Sequence, residues 1–142
     1  MKIISCKKKD FNKVIDIEYE AAKKLYNYKS KIEVKTILKD FLNKSKFFIL
    51  KDKNNAIGYI VISKDGMIEF IAIKNKYQRL GIGSKLIKFA EKYFKGLKLN
   101  KIKLEVLANN LKAINFYKEH GFNSVKKYKK GKRFKLVMLK EI

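Results

Sequence analysis

The stretch from Ile68 to Phe94 constrains the fold of this chain more than any other. Ile68-Glu69-Phe70-Ile71-Ala72-Ile73 is an apolar run of strand length. Gln78-Arg79-Leu80-Gly81-Ile82-Gly83-Ser84 follows, and then Leu86, Ile87, Phe89, Ala90 and Phe94 recur at helical spacing. This reads as a strand, a short loop with two glycines, and a helix. Glycine lets a backbone approach a ligand with no Cβ in the way. The first turn of a helix offers unpaired N–H groups at the positive end of its dipole. Together they predict a cradle for a pyrophosphate.

Spacing narrows what carries that pyrophosphate. A Walker loop needs four residues between its glycines and a Lys-Ser/Thr pair after them; Gly81 and Gly83 are separated by one residue. A dinucleotide fingerprint needs a third glycine where Leu86 stands, and belongs on the first strand of its unit. Here at least two strands come earlier. Both nucleotide readings fail.

The flanking sequence supplies the rest of the fold. Phe11, Val14, Ile15, Ile17, Ala21, Ala22 and Leu25 predict a helix over about 11–28, and Ile32, Ile37, Leu38, Phe41 and Leu42 a second over about 31–43. Phe47–Leu50 and Ile57–Ile62 read as strands joined by the polar turn Lys51–Asn55. Lys64-Asp65-Gly66 is a tight turn into the strand at 67–73. Lys101–Leu107 alternates as a strand. The helix at 110–119 has Asn109 or Asn110 as its cap and Gly121 just past its end. The chain then closes as a hairpin around Gly131. The order α α β β β α β α β β predicts an α/β mixed sheet with helices on both faces, the strands at 67–73 and 101–107 being parallel. With no proline, repeat or linker-like tract, residues 1–142 are expected to form a single domain.

Ten phenylalanines, eight tyrosines and a hydrophobic share of 46% exclude a disordered chain. No apolar stretch approaches the roughly 20 residues of a membrane span, and Met1–Cys6 has no run long enough for a signal peptide. One cysteine excludes an internal disulfide and a cysteine metal cluster, and Cys6 reads as an inert strand residue. The expectation is a soluble cytoplasmic protein with no membrane partner.

Downstream of the loop, Leu104-Glu105-Val106-Leu107 leads to Asn110, Ala113, Phe116, Tyr117, Gly121 and Phe122. The loop, with Gln78, Gly81 and Gly83, and this second segment together resemble the GNAT superfamily of N-acetyltransferases. Its loop reads Gln/Arg-x-x-Gly-x-Gly/Ala, and its second signature reads Asn-x-x-Ala-x-x-Phe-Tyr-x-x-x-Gly-Phe. The likeness is sharpest over residues 67–122. From Leu104 to Phe122 it is most similar to the ribosomal-protein N-terminal acetyltransferases. It weakens beyond, where Lys126-Lys127-Tyr128-Lys129-Lys130 stands in place of a Tyr-Tyr acceptor loop.

The resemblance implies acetyl-CoA as co-substrate, no metal, and direct transfer to an amine in a ternary complex. It implies that the backbone of Ile71, Ala72 and Ile73 pairs with the pantetheine arm, an edge-pairing mode that reads no side chains. Gln78, Arg79, Leu80, Gly81, Ile82, Gly83 and Ser84 would form the pyrophosphate loop, with an added charge from Arg79 and a hydroxyl from Ser84. Asn110 would cap its helix and bond the cofactor arm. Tyr117 would donate a proton to the departing sulfur. Glu105 matches the position implicated as base in the ribosomal-protein enzymes, and Glu69, on the strand leading into the loop, is the second candidate. His120, at a helix end, reads as structural or exposed.

The acceptor is the open question. The net charge is +23, almost all of it lysine, with only 13 acidic residues. Such a field disfavours polyamines and lysine-rich tails and suits an acidic peptide N-terminus or an anionic small amine. It also suits a polyanion such as RNA or a ribosome. Lys85, Lys88, Lys92 and Lys95 share one helix face, which is expected to be solvated. An inactive basic module that binds RNA, a transferase for small amines and a longer acyl donor stay open alternatives, as do a monomer and a homodimer.

Overall fold

The computed structural model describes residues 1–142. One seven-stranded sheet organises the chain, in the order β1-β2-β3-β4-β5-β7-β6. The elements are β1 (Lys2–Ser5), α1 (Phe11–Tyr26), α2 (Lys31–Lys39), β2 (Ser45–Asp52), β3 (Asn55–Ser63), β4 (Met67–Ile73), α3 (Ile82–Gly96), β5 (Lys101–Leu107), α4 (Leu111–Glu119), β6 (Asn123–Lys130) and β7 (Arg133–Glu141). Every pairing is antiparallel except β4 with β5. The mixed sheet and the helix order are those expected, with one addition. The short edge strand β1 precedes the first helix and pairs with β2.

Helices cover the two faces unequally. α3 and α4 bury Leu86, Ile87, Ala90, Phe94, Ile114 and Tyr117 against Ile60, Ile62, Ile102, Leu104 and Val106, in the larger of two cores. On the other face α1 and α2 place Val14, Ile15, Ile17, Val34 and Leu38 against Ile49, Tyr59 and Val61. β3 lies between the two cores and is buried at every position but its first, as a strand covered on both faces must be. α1 packs over β3 and β4. It leaves the same face of β5, β7 and β6 open, with Lys103, Glu105, Tyr128 and Leu139 only partly covered or exposed.

Local chemistry fixes the helix ends. Ser30 accepts from the N–H of Glu33 at the start of α2, and Asn110 accepts from Ala113 at the start of α4. Asn27, past the end of α1, and Gly121, past α4, take left-handed φ values of 54° and 91°. No helix is long and apolar enough to cross a membrane.

Candidate active site

The site begins where two strands part. β4 and β5 pair only at Met67 with Lys103 and Ile68 with Leu104. Opposite, Ile62 faces Ile68 while Val61 faces Phe70, so Glu69 is an extra residue in β4. This bulge bends β4 away from β5, while β5 stays with β7 up to Leu107. The Lys74 N–H donates to the Ile57 carbonyl at 2.9 Å. By alternation the backbones of Ala72 and Phe70 also turn toward β3, and those of Ile71 and Ile73 turn toward the gap. A strand edge is thus left without a strand partner inside the sheet.

The loop at the mouth of this gap is shaped by its backbone. Arg79 and Gly81 both have positive φ, 65° and 76°, and α3 starts with no side-chain cap. Left-handed residues leading into an uncapped helix turn successive N–H groups to one concavity, a fit for a diphosphate. The two glycines serve different ends. A Cβ on Gly81 would touch nothing, but its φ favours glycine; a Cβ on Gly83 would lie 2.8 Å from Phe116 Cζ. Gly83 therefore allows α3 to approach α4. The Gln78 amide donates to the Ile73 carbonyl at 3.0 Å and accepts from Lys112 Nζ at 2.9 Å, which ties the end of β4 to the start of α4. Leu80 is exposed, and Ile82 is a core residue that offers the loop only its backbone. Ser84 bonds His120, which is half-buried.

Tyr117 lies in the last turn of α4. Tyr117 is 9% exposed and packs edge-on against Phe116 and Phe122. Its hydroxyl has no hydrogen-bond partner in the chain. Burial, with Tyr26 and Glu18 nearby, raises its pKa well above the ordinary phenol range, so it stays protonated.

The two expected carboxylates stand on neighbouring strands, Glu69 on β4 and Glu105 on β5. Glu105 projects from β5 to the open face and accepts a hydrogen bond from Tyr128. Glu69, on the bulge, has its pKa raised, mainly by burial; Lys44 opposes this, and the charges of Asp65 and Glu105 add to it. The third acid is one sequence reasoning missed. Glu18 is 4% exposed, with both oxygens engaged by tyrosines: Tyr59 at 2.7 Å and Tyr28 at 2.8 Å. Burial raises its pKa against the pull of these bonds. The signal was available, since Glu18 sits four residues after Val14 and three after Ile15 on the apolar stripe of α1.

A cleft opens between the end of α1 and the β6–β7 turn. Leu25, Leu107 and Phe134 form apolar wall, and Lys127, Lys132 and Arg133 line it as well. Arg133 is fixed: it donates to the carbonyls of Leu25 at 3.0 Å and Tyr26 at 2.8 Å, with its guanidinium over the Tyr26 ring. Lys135 Nζ stands 5.3 Å from the same ring, and burial lowers its pKa. The lysines at 85, 88, 92 and 95 are all exposed, as a solvated face should be.

Known proteins resemble this chain in sequence and in fold. A family model described as Acetyltransferase (GNAT) family matches residues 11–122. An N-alpha-acetyltransferase of Sulfurisphaera tokodaii is 30% identical over 133 residues, which span 82% of this chain and 77% of that protein. PH1933 from Pyrococcus horikoshii superposes with a TM-score of 0.85 at 26% identity, over 99% of this chain and 98% of that one. The ribosomal-protein-S18-alanine N-acetyltransferase of Escherichia coli shares the fold, with a TM-score of 0.79 at 22% identity over 99% and 93% of the two chains.

Proposed function

The chain belongs to the acetyltransferase (GNAT) family, and from that premise we propose that it acetylates the α-amine of a protein N-terminus by direct attack in a ternary complex. It is an N-acetyltransferase and its donor is acetyl-CoA, which supplies the activated acetyl thioester. The observation that carries the proposal is the parting of β4 from β5, with two carboxylates at its base and a protonated phenol on α4.

In this reading the gap-facing backbone of Ile71 and Ile73 holds the extended arm of the donor as an added strand. The N–H groups from Arg79 to Ser84 hold its diphosphate. Gln78 acts indirectly, by fixing the Ile73 carbonyl and the start of α4. Asn110 caps the first turn of α4 and so sets the position of Tyr117, about two turns further on; the buried phenol keeps its proton for the leaving sulfur. An amine attacks only when neutral, and an α-amine, with pKa near 8, loses its proton more readily than a lysine near 10.4. Glu105 accepts that proton, directly or through water, with Tyr128 orienting its carboxylate. Glu69 shares the site and supplies a second negative charge that draws the ammonium in.

Thiol release from acetyl-CoA tests the reading. Peptides with a free N-terminus and no lysine should be turned over. N-terminally blocked peptides containing lysine, and spermidine, should not. A higher kcat/KM for either of the latter overturns it.

A further inference from the structure

We propose that the β6–β7 hairpin is a binding surface for single-stranded RNA, separate from the acetyl-transfer chemistry and independent of which amine is acetylated.

The charge of the chain is not spread evenly. Seven of the ten residues from Lys126 to Lys135 are cations, and the other three are Tyr128, Gly131 and Phe134. From Asn123 to Lys140 there is no acidic residue. Residues 11–40, by contrast, hold seven lysines against five acids. A lysine-rich composition alone would load both segments alike. None of the seven hairpin cations forms an ion pair. Arg133 is taken up by carbonyls of α1, whereas Lys126, Lys127, Lys129, Lys130 and Lys132 are exposed and open to a partner.

Strand register sorts these cations onto two faces. Lys126, Tyr128 and Lys130 stand opposite Val137, Lys135 and Arg133, and Val137 stands opposite Glu105, so they share the face of that carboxylate. Lys127 and Lys129 stand opposite Leu136 and Phe134, on the other face. There Phe134 is 50% exposed, with Lys127 Nζ at 5.2 Å and Lys129 Nζ at 6.0 Å from its ring centre. Lys132, in the turn, lines the same hollow as Lys127 and Phe134.

Charge alone fits any polyanion, and the ring narrows the choice. Edge lysines discourage pairing with another strand, but an exposed phenylalanine among them does the opposite. A ring flanked by cations on an open sheet is a platform on which a base stacks while the lysines reach the phosphates beside it. Same-face lysines two residues apart on a strand are about 6.6 Å apart, a match for successive phosphates of an extended single strand. A duplex keeps its bases stacked on one another and offers none to Phe134. β6 is the last strand of the sheet, so alternate N–H and C=O groups along it face no strand partner. A ribose 2′-hydroxyl is both donor and acceptor and suits such an edge, and a deoxyribose lacks it. A second copy of the chain brings the same cations and is repelled.

Fluorescence anisotropy with a labelled oligouridine of about 12 nucleotides, a length one small domain can cover, tests the surface. Affinity should fall about 50-fold from about 50 to about 200 mM salt, the slope for about four phosphates on a single strand. Oligodeoxyuridine, an RNA duplex of equal length and polyglutamate should each bind at least about fivefold more weakly. Lys127→Gln with Lys129→Gln and Lys132→Gln should weaken oligouridine binding by at least about tenfold and lower the salt slope by about two. Lys85→Gln with Lys88→Gln and Lys92→Gln removes the same charge from α3 and should weaken it by less than about threefold. Phe134→Leu should weaken oligouridine binding by about fivefold or more, the worth of one stacked base, and leave polyglutamate binding as in the wild type. A melting-temperature rise with acetyl-CoA equal to that of the wild type shows that each variant is folded. The inference is overturned by absence of binding at low salt, by equal losses in the two triple variants, or by unchanged affinity in Phe134→Leu. It is equally overturned if the DNA, the duplex or polyglutamate binds as tightly as oligouridine. Acetylation is read separately by thiol release, so each of these outcomes leaves the N-terminal reading standing.

Discussion

Ser84 Oγ stands 2.7 Å from His120 Nε2, and this contact joins the start of α3 to the end of α4. His120 Nδ1 lies 2.8 Å from the Phe116 carbonyl. A carbonyl only accepts, so Nδ1 carries a proton; in the neutral imidazole Nε2 is then the acceptor and Ser84 the donor. The hydroxyl is thus engaged inside the protein. Its hydrogen serves helix–helix contact in this structure, while the backbone of the same loop keeps its N–H groups free.

Ser84→Ala should therefore act on stability more than on donor binding. One hydrogen bond is lost, about 1 kcal/mol. The KM for acetyl-CoA should change by less than about threefold, a shift below 1 kcal/mol. Melting curves and steady-state kinetics on one preparation give both numbers. A KM rise of about tenfold or more with an unchanged melting temperature would show that the hydroxyl reaches the phosphates instead.

Gly83→Ala tests the other contact between these helices. The new Cβ would lie 2.8 Å from Phe116 Cζ, within the packed joint of α3 and α4. Overpacking of this kind costs about 1–3 kcal/mol, so the melting temperature should drop. Phe116→Leu in the same chain removes the obstructing ring atoms and should recover part of the loss. No recovery would mean that the alanine disturbs the loop backbone rather than the joint.

Much of this arrangement is legible in the residues, and what is not has physical reasons. The amphipathic stripes of α1, α3 and α4 and the alternation of β5 announce themselves, and Glu105 falls on the face opposite Ile102, Leu104 and Val106 as alternation requires. β1 is four residues long and at most half-buried, too short for a period to show. The bulge at Glu69 breaks the strand period, so Ile68 and Phe70 join opposite cores although two residues apart. Nothing in the sequence says which strand of the last hairpin meets β5. Its burial does, since β6 is exposed at nearly every position and takes the edge while β7 buries Val137 and Met138. The Ser84–His120 contact spans 36 residues and depends on how α3 crosses α4, so no local pattern encodes it.

Asp10 gives a pH-dependent stability. It is 1% exposed, accepts from the Lys7 N–H at 3.1 Å, and has Lys13 and Lys51 within 4 Å. The Lys7 bond first, and the lysine charges after it, hold its pKa below the ordinary 3.8 against the opposing effect of burial. A depressed carboxylate adds stability that is present above its unfolded pKa and is lost as pH falls through its folded one. Asp10→Ala should be about 1.5–3 kcal/mol less stable than wild type at neutral pH, the worth of a hydrogen bond to a charged group, and the gap should narrow below pH 3.8. Denaturation at several pH values checks this; a gap that does not narrow in acid would remove the carboxylate's charge as its source.

Tyr117→Phe addresses the chemistry most directly. The phenol is buried, unpaired within the chain and held protonated by desolvation. It is therefore a proton donor at any working pH, and its own ionisation should not appear as an alkaline limb of kcat. Removing the hydroxyl leaves the ring contacts with Phe116 and Phe122 in place. The fold and the donor site should then persist, with the KM for acetyl-CoA within about twofold and kcat down by roughly 10²–10⁴, the usual worth of a positioned general acid. A leaving thiolate is stable enough to depart unaided in part, which favours the lower end of that range. A fall of less than about threefold, in a variant that melts like the wild type, would exclude Tyr117 as the acid and turn attention to water held at the parted strands.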